Sequence, residues 1–172
     1  METNNEFLPK DYELPSSGGA YFKPKQGDNK VRILTSPVIG WVDWDKSDPQ
    51  NPKPLRFAMS EKPTQALDKI KHFWAVVVWS YSANQIQVWE ITQSSIQDAI
   101  KNLSSDSDWG TPLEYDLNIN RTGESLETSY LVNPKPKTPV TQEIIDDFTK
   151  TPVNLIALFN GEDPFDPTSL QF

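Results

Sequence analysis

The chain has 172 residues, with 24 acids against 16 bases for a net charge of −8, one histidine and no cysteine. The missing cysteines exclude disulfides and thiolate metal sites and make a reducing cytoplasm the natural setting. The lone His72 cannot build a zinc site without unusual carboxylate help, so no metal or cofactor is expected. The length suggests one domain with extensions, enough to bury a core without staples.

The charge is unevenly spread. Residues 141–172 hold six acids and one base, while residues 21–72 hold ten bases and six acids. A mildly basic N-terminal half therefore stands against an acidic end. The opening "METNNEFLPK" has no basic start and no apolar run, and is read as no signal peptide. The longest apolar run, "FWAVVVW", is too short to span a bilayer.

In chain order, residues 1–19 are polar and end in "PSSGG", the pattern of a flexible arm. "AYFKP" reads as a short edge strand limited by Pro24. "GDNKVRILTS" starts a strand in which Val31 and Ile33 alternate with Lys30 and Arg32. "PVIGWVDW" continues it in extended form, and Gly40 inside it predicts a bulge or bend. "DKSDPQNPKP" reads as a loop, with a short helix predicted from Thr64 onward. Strands follow at 72–81 and 85–91, joined by "SAN" as a hairpin. "TQSSIQDAIKNLSSD" places Ile96, Ile100 and Leu103 at helical spacing, with Thr92 or Ser94 as cap. "LEYDLNINRTGESLETSYLVNP" reads as a second hairpin and "PKPKTP" as an extended linker. "TQEIIDDFTK" reads as a short capped helix, "VNLIALF" as a last apolar segment, and 160–172 as an acidic tail without regular structure.

The order is strand, long loop, two strands, helix, two strands. It predicts a mainly β fold: a five-stranded OB barrel over 20–140, with a helix between strands three and four. The 1–19 arm, a helical segment at 141–159 and the tail flank it. The helix position favours OB over other small barrels and sandwiches.

"HFWAVVVWSY" carries four aromatics in ten residues. Strand alternation puts Phe73, Ala75, Val77, Trp79 and Tyr81 on one face and His72, Trp74, Val76, Val78 and Ser80 on the other. Both faces are largely apolar. One is expected to build a core, and the other to be covered by a ligand or by a neighbouring segment. On the next strand Trp89 shares a face with Gln85 and Gln87, away from Ile86 and Val88, which makes it a stacking candidate. Trp74 is the outward candidate beside it; with the faces inverted, Trp79 and Tyr81 take that place. Trp41 and Trp44 should face opposite ways, with one in the core; Trp44, at the strand's exit, is kept as a candidate. Trp109 is assigned to packing.

Flat aromatics that stack bases, together with cations that track phosphates, are what sequence-tolerant single-strand binding requires. The cations nearest these elements are Lys30 and Arg32 on the outward face of strand one, Lys53 and Arg56 in the loop, Lys69 and Lys71 before the aromatic strand, and Arg121 at a hairpin tip. In the tail, Glu162, Asp163 and Asp166 surround Phe165, and the sequence closes on Phe172. An anionic peptide with a terminal aromatic suits a basic, apolar pocket on a partner, or the protein's own cationic groove.

"VRILTSP", "HFWAVVVWSY" and above all "DWGTPLEYDLNINRTGESLETSY" resemble the single-stranded-DNA-binding proteins encoded by phages and prophages. The likeness covers about residues 20–140. It implies an OB fold, cooperative or semi-cooperative coating of single strands, a bacterial host cytoplasm, and recruitment of replication and recombination proteins through the acidic tail. Some relatives carry a cysteine-bearing zinc insert, which this chain lacks. No phosphate-binding glycine loop, nucleophile with paired histidine or two-metal carboxylate cluster is present, so no enzymatic activity is expected. Asp43, Asp45 and Asp48 are read as solvated. The rival readings are an acidic interaction module, such as a DNA mimic, and a carbohydrate-binding β module. The aromatic strands and the basic 21–72 segment speak against mimicry.

Overall fold

The computed structural model describes residues 20–166. The predicted N-terminal arm and Phe172 lie outside them. The protein is mainly β. Among the described residues the seven strands are β1 (Gly27–Ile33), β2 (Val38–Asp45), β3 (Lys53–Ala58), β4 (Lys71–Ser80), β5 (Gln85–Ile91), β6 (Tyr115–Thr122) and β7 (Ser129–Lys137). Helices α1 (Ser94–Ser105) and α2 (Gln142–Lys150) follow β5 and β7. The strands pair antiparallel in the order β3-β2-β4-β1-β6-β7, with β5 on the other edge of β4. No helix among the described residues is long and apolar enough to cross a membrane.

Strand β4 is the hub. Its first half pairs with β2 and its last three residues with β1. The expected single bent strand is therefore two strands, separated at Leu34–Pro37. Thr35 holds the break by accepting the Val77 N–H on its hydroxyl. Gly40 makes no bulge; β2 pairs through it on both sides. A Cβ there would strike the Phe57 carbonyl and the Phe159 ring, so close approach accounts for the glycine.

Three expectations for the connections change. The segment 53–58 is a strand, not a loop, because β2 supplies its ladder partners from Gly40 to Asp45. No helix forms from Thr64. The Leu67 and Asp68 N–H groups donate to the Asp43 carboxylate at 2.6 and 3.0 Å, which ties up donors that helical turns would use. The "PKPK" stretch belongs to β7, an edge strand where proline is tolerated. The β6–β7 turn needs Gly123, whose φ is +78° and whose added Cβ would strike the Glu127 carbonyl.

The two faces of β4 bury two separate cores. Val76 and Val78 join Val31, Ile33, Trp89, Ile91, Leu117, Ile119 and the α1 residues Ile96 and Ile100. Phe73, Ala75, Val77 and Trp79 join Val42, Ile86 and Val88 beneath Ile144 of α2 and Leu155 and Leu158. Those last two lie in a 3₁₀ turn over Leu155–Asn160. Helix α1 touches β7 and is fixed by Gln97, whose amide donates to the Ile91 and His72 carbonyls. Its N-cap is Gln93 without a side-chain cap bond, not Thr92 or Ser94. Thr141 caps α2, accepting the Ile144 N–H.

The acidic end is packed as far as it is described. Phe165 meets Tyr21 edge-on at 6.4 Å, Asn154 N–H donates to the Pro164 carbonyl, and Glu162 N–H donates to Ala157. Residues 160–166 are thus held on the domain rather than free. Phe165 packs against the second core, while Glu162 and Asp163 stay exposed and Asp166 is half-buried.

Candidate nucleic-acid interface

The register of β2 against β4 sets Trp41 opposite His72 and Ile39 opposite Trp74, all on one face. The Trp41 and His72 rings lie 5.0 Å apart at 54°. The Trp74 indole N–H donates to His72 Nε2 at 3.3 Å, and His72 Nδ1 sits 2.9 Å from the Gly40 carbonyl. A carbonyl only accepts, so Nδ1 carries the hydrogen and Nε2 receives the indole. Three flat side chains on two neighbouring strands are thereby locked in orientation, half-buried, with Ile39 exposed at 42% beside them.

The flank is fixed from the same strand. Trp41 Nε1 donates to the Met59 carbonyl at 3.1 Å, and Asp43, two residues on, holds Leu67 and Asp68. Between these anchors Lys62 sits with Nζ 4.3 Å from the Trp41 ring centroid, a cation–π contact. Asp43 is buried, contrary to the expectation of a solvated acid. Burial opposes its charge, but backbone N–H groups of Leu67, Asp68, Trp44 and Lys69 outweigh it and hold the carboxyl below its usual range. Of the lysines expected at the site, Lys69 lies just before β4 and Lys71 opens it opposite Val42; both are exposed.

The other expected residues divide. Trp74 is half-buried and packs against the first core with one side while its indole N–H reaches His72. Trp44 is half-buried at the end of β2, on the face opposite Trp41; neither joins a core. Trp89, 1% exposed, is a core residue: its face, expected to be polar, turns into the first core, where Phe22 meets it edge-on at 5.2 Å. Trp79, 2% exposed, is sealed in the second core, so its face is no platform either. Tyr81 is half-buried, with its hydroxyl donating to Asp116 and Lys30 Nζ 4.3 Å from its ring centroid.

Arg32 does not share the exposed side with Lys30. It is 2% exposed and donates to the Leu113 and Thr138 carbonyls and to Asp116. Arg56 is bound two-pronged to Glu90 at 2.8 and 2.9 Å, linking β3 to β5. Arg121 is half-buried and donates to the Pro24 carbonyl. These three guanidiniums hold the fold together and are unsuited to tracking phosphates. Lys30 is half exposed and lies 3.6 Å from Asp116.

Sequence reading passed over Trp41, His72 and Lys62 as site residues. The signal for the first two lies in the β2–β4 register, which no single strand displays. Comparison with family models, with curated proteins and with solved structures finds no match for this chain.

Proposed function

We propose that the protein binds single-stranded DNA without enzymatic action, through the Trp41–His72–Trp74 row. The observation that carries this reading is the row itself: three half-exposed rings on adjacent strands, fixed by hydrogen bonds, beside the Lys62 ammonium. Stacking is tolerant of sequence because every base has a π face. The arrangement of β1 joined to both β4 and β6, a β4–β5 hairpin, α1 and a β6–β7 hairpin supports an OB-type architecture, elaborated by β2 and β3. The resemblance to phage and prophage single-strand binders supports a role in DNA replication, recombination or repair. The exposed Glu162 and Asp163 are the acids offered to partner proteins.

The test is a titration of oligo-dT and of a duplex of equal length at two salt concentrations. The single strand should bind tighter. With Lys62 and Lys69 as the phosphate contacts, log K should fall with log salt with a slope of about −1.4. Equal affinity for duplex overturns the reading.

A further inference from the structure

The Trp74 ring has a second neighbour besides His72. A cavity of about 230 Å³ opens beside it, floored by Val76, Ile91 and Ile100 and rimmed by Thr35, Ser104 and Thr111. An apolar cavity of about 150 Å³ is enough to take up benzene, so this one has room for a single planar heterocycle. Its wall is an indole already shared with the stacking row, so a strand running over Trp41 and His72 meets its mouth next. Two rim hydroxyls have a defined polarity. Thr35 Oγ1 accepts the Val77 N–H and Thr111 Oγ1 accepts the Leu113 N–H. Each therefore keeps its own O–H to donate.

We propose that this cavity is a base pocket that takes one unstacked nucleobase from the bound strand. The inference rests on the single-strand reading and deepens it. An apolar floor with donating hydroxyls at the rim favours a base that presents carbonyl oxygens. Thymine presents two and adenine none. The row alone binds every base alike; the pocket adds a fixed register, one extruded base per protein, and a local preference for thymine.

The experiment uses the full chain with isoleucine methyl groups labelled for NMR, thymidine as the small probe and an oligo-dT ladder for affinity. Thymidine should shift the Ile91 and Ile100 methyl resonances, and adenosine should shift them less. Ser104→Trp, on the exposed rim of α1, should block the mouth without touching the core. It should abolish those shifts and weaken oligo-dT binding about tenfold. A single abasic position in the ladder should cost the wild type affinity and the blocked variant little. If oligo-dT binds and perturbs the Trp41 and Trp74 indole resonances, yet Ser104→Trp binds it as tightly and thymidine leaves both isoleucines unmoved, the pocket is wrong and the row stands. If the wild type binds no oligo-dT, both readings fall.

Discussion

Trp74 and Trp79 stand five residues apart on one strand and meet opposite fates. Trp74 packs against the margin of the first core, and it keeps a half-buried ring, a hydrogen bond to His72 and a cavity beside it. Trp79 looks toward the side that α2 and the Leu155–Asn160 turn cover, and it is sealed. Alternation decides which face a side chain joins. Both faces carry core; that the ring at 79 is sealed while the ring at 74 stays half-open is decided by a segment some eighty residues later in the chain.

The largest effect should come from the sealed side. Trp79→Ala should cost about 3–5 kcal/mol of stability in urea unfolding. The fraction that remains folded should bind oligo-dT as the wild type does. Reduced affinity per folded molecule would break the division between the faces.

Trp41→Ala sharpens the same division from the open side. It should weaken oligo-dT binding by on the order of 1–3 kcal/mol. Its unfolding midpoint should stay near that of the wild type. A stability loss as large as that of Trp79→Ala would make the row part of the core.

The smallest effect concerns Tyr81, at the border of the two regions. Burial, with the Asp116 carboxylate accepting its hydroxyl, pushes its pKa up from 10.0 to about 12. A raised folded pKa favours the neutral phenol. Its contribution is therefore complete below pH ~10 and lost as pH rises toward about 12. Between those values the urea midpoint of the wild type should fall more than that of Tyr81→Phe. The variant also removes background from Tyr21 and Tyr115, whose pKa values are raised too and which both proteins share. Parallel curves would show that the phenol is not held by Asp116.

Much of the fold was legible in local pattern. The β4–β5 and β6–β7 hairpins, α1 and the Thr141-capped α2 each carry their own periodicity or cap. What was not legible depends on distant partners. Strand β3 has little alternation and exists through β2, and the missing helix after Thr64 is undone by a carboxylate twenty-four residues earlier. The site suffered in the same way. Arg32 alternates with Val31 and Ile33 as an exposed cation would. Only the fold brings Asp116 and the Leu113 and Thr138 carbonyls around it. Trp89 sits among glutamines in sequence, but Gln87 is itself buried at 6%.

The bare surface of Gly40, over which Phe159 lies, also makes the sheet depend on the segment that follows it. Strands β1 to β7 can pair and close the first core with residues up to 137. Phe73, Val77 and Trp79 form a greasy patch that residues 144–165 settle over. Without residues 144–165 one face of the sheet would stay apolar and uncovered. A chain cut after residue 137 should therefore clump, although it still carries every residue of the aromatic row.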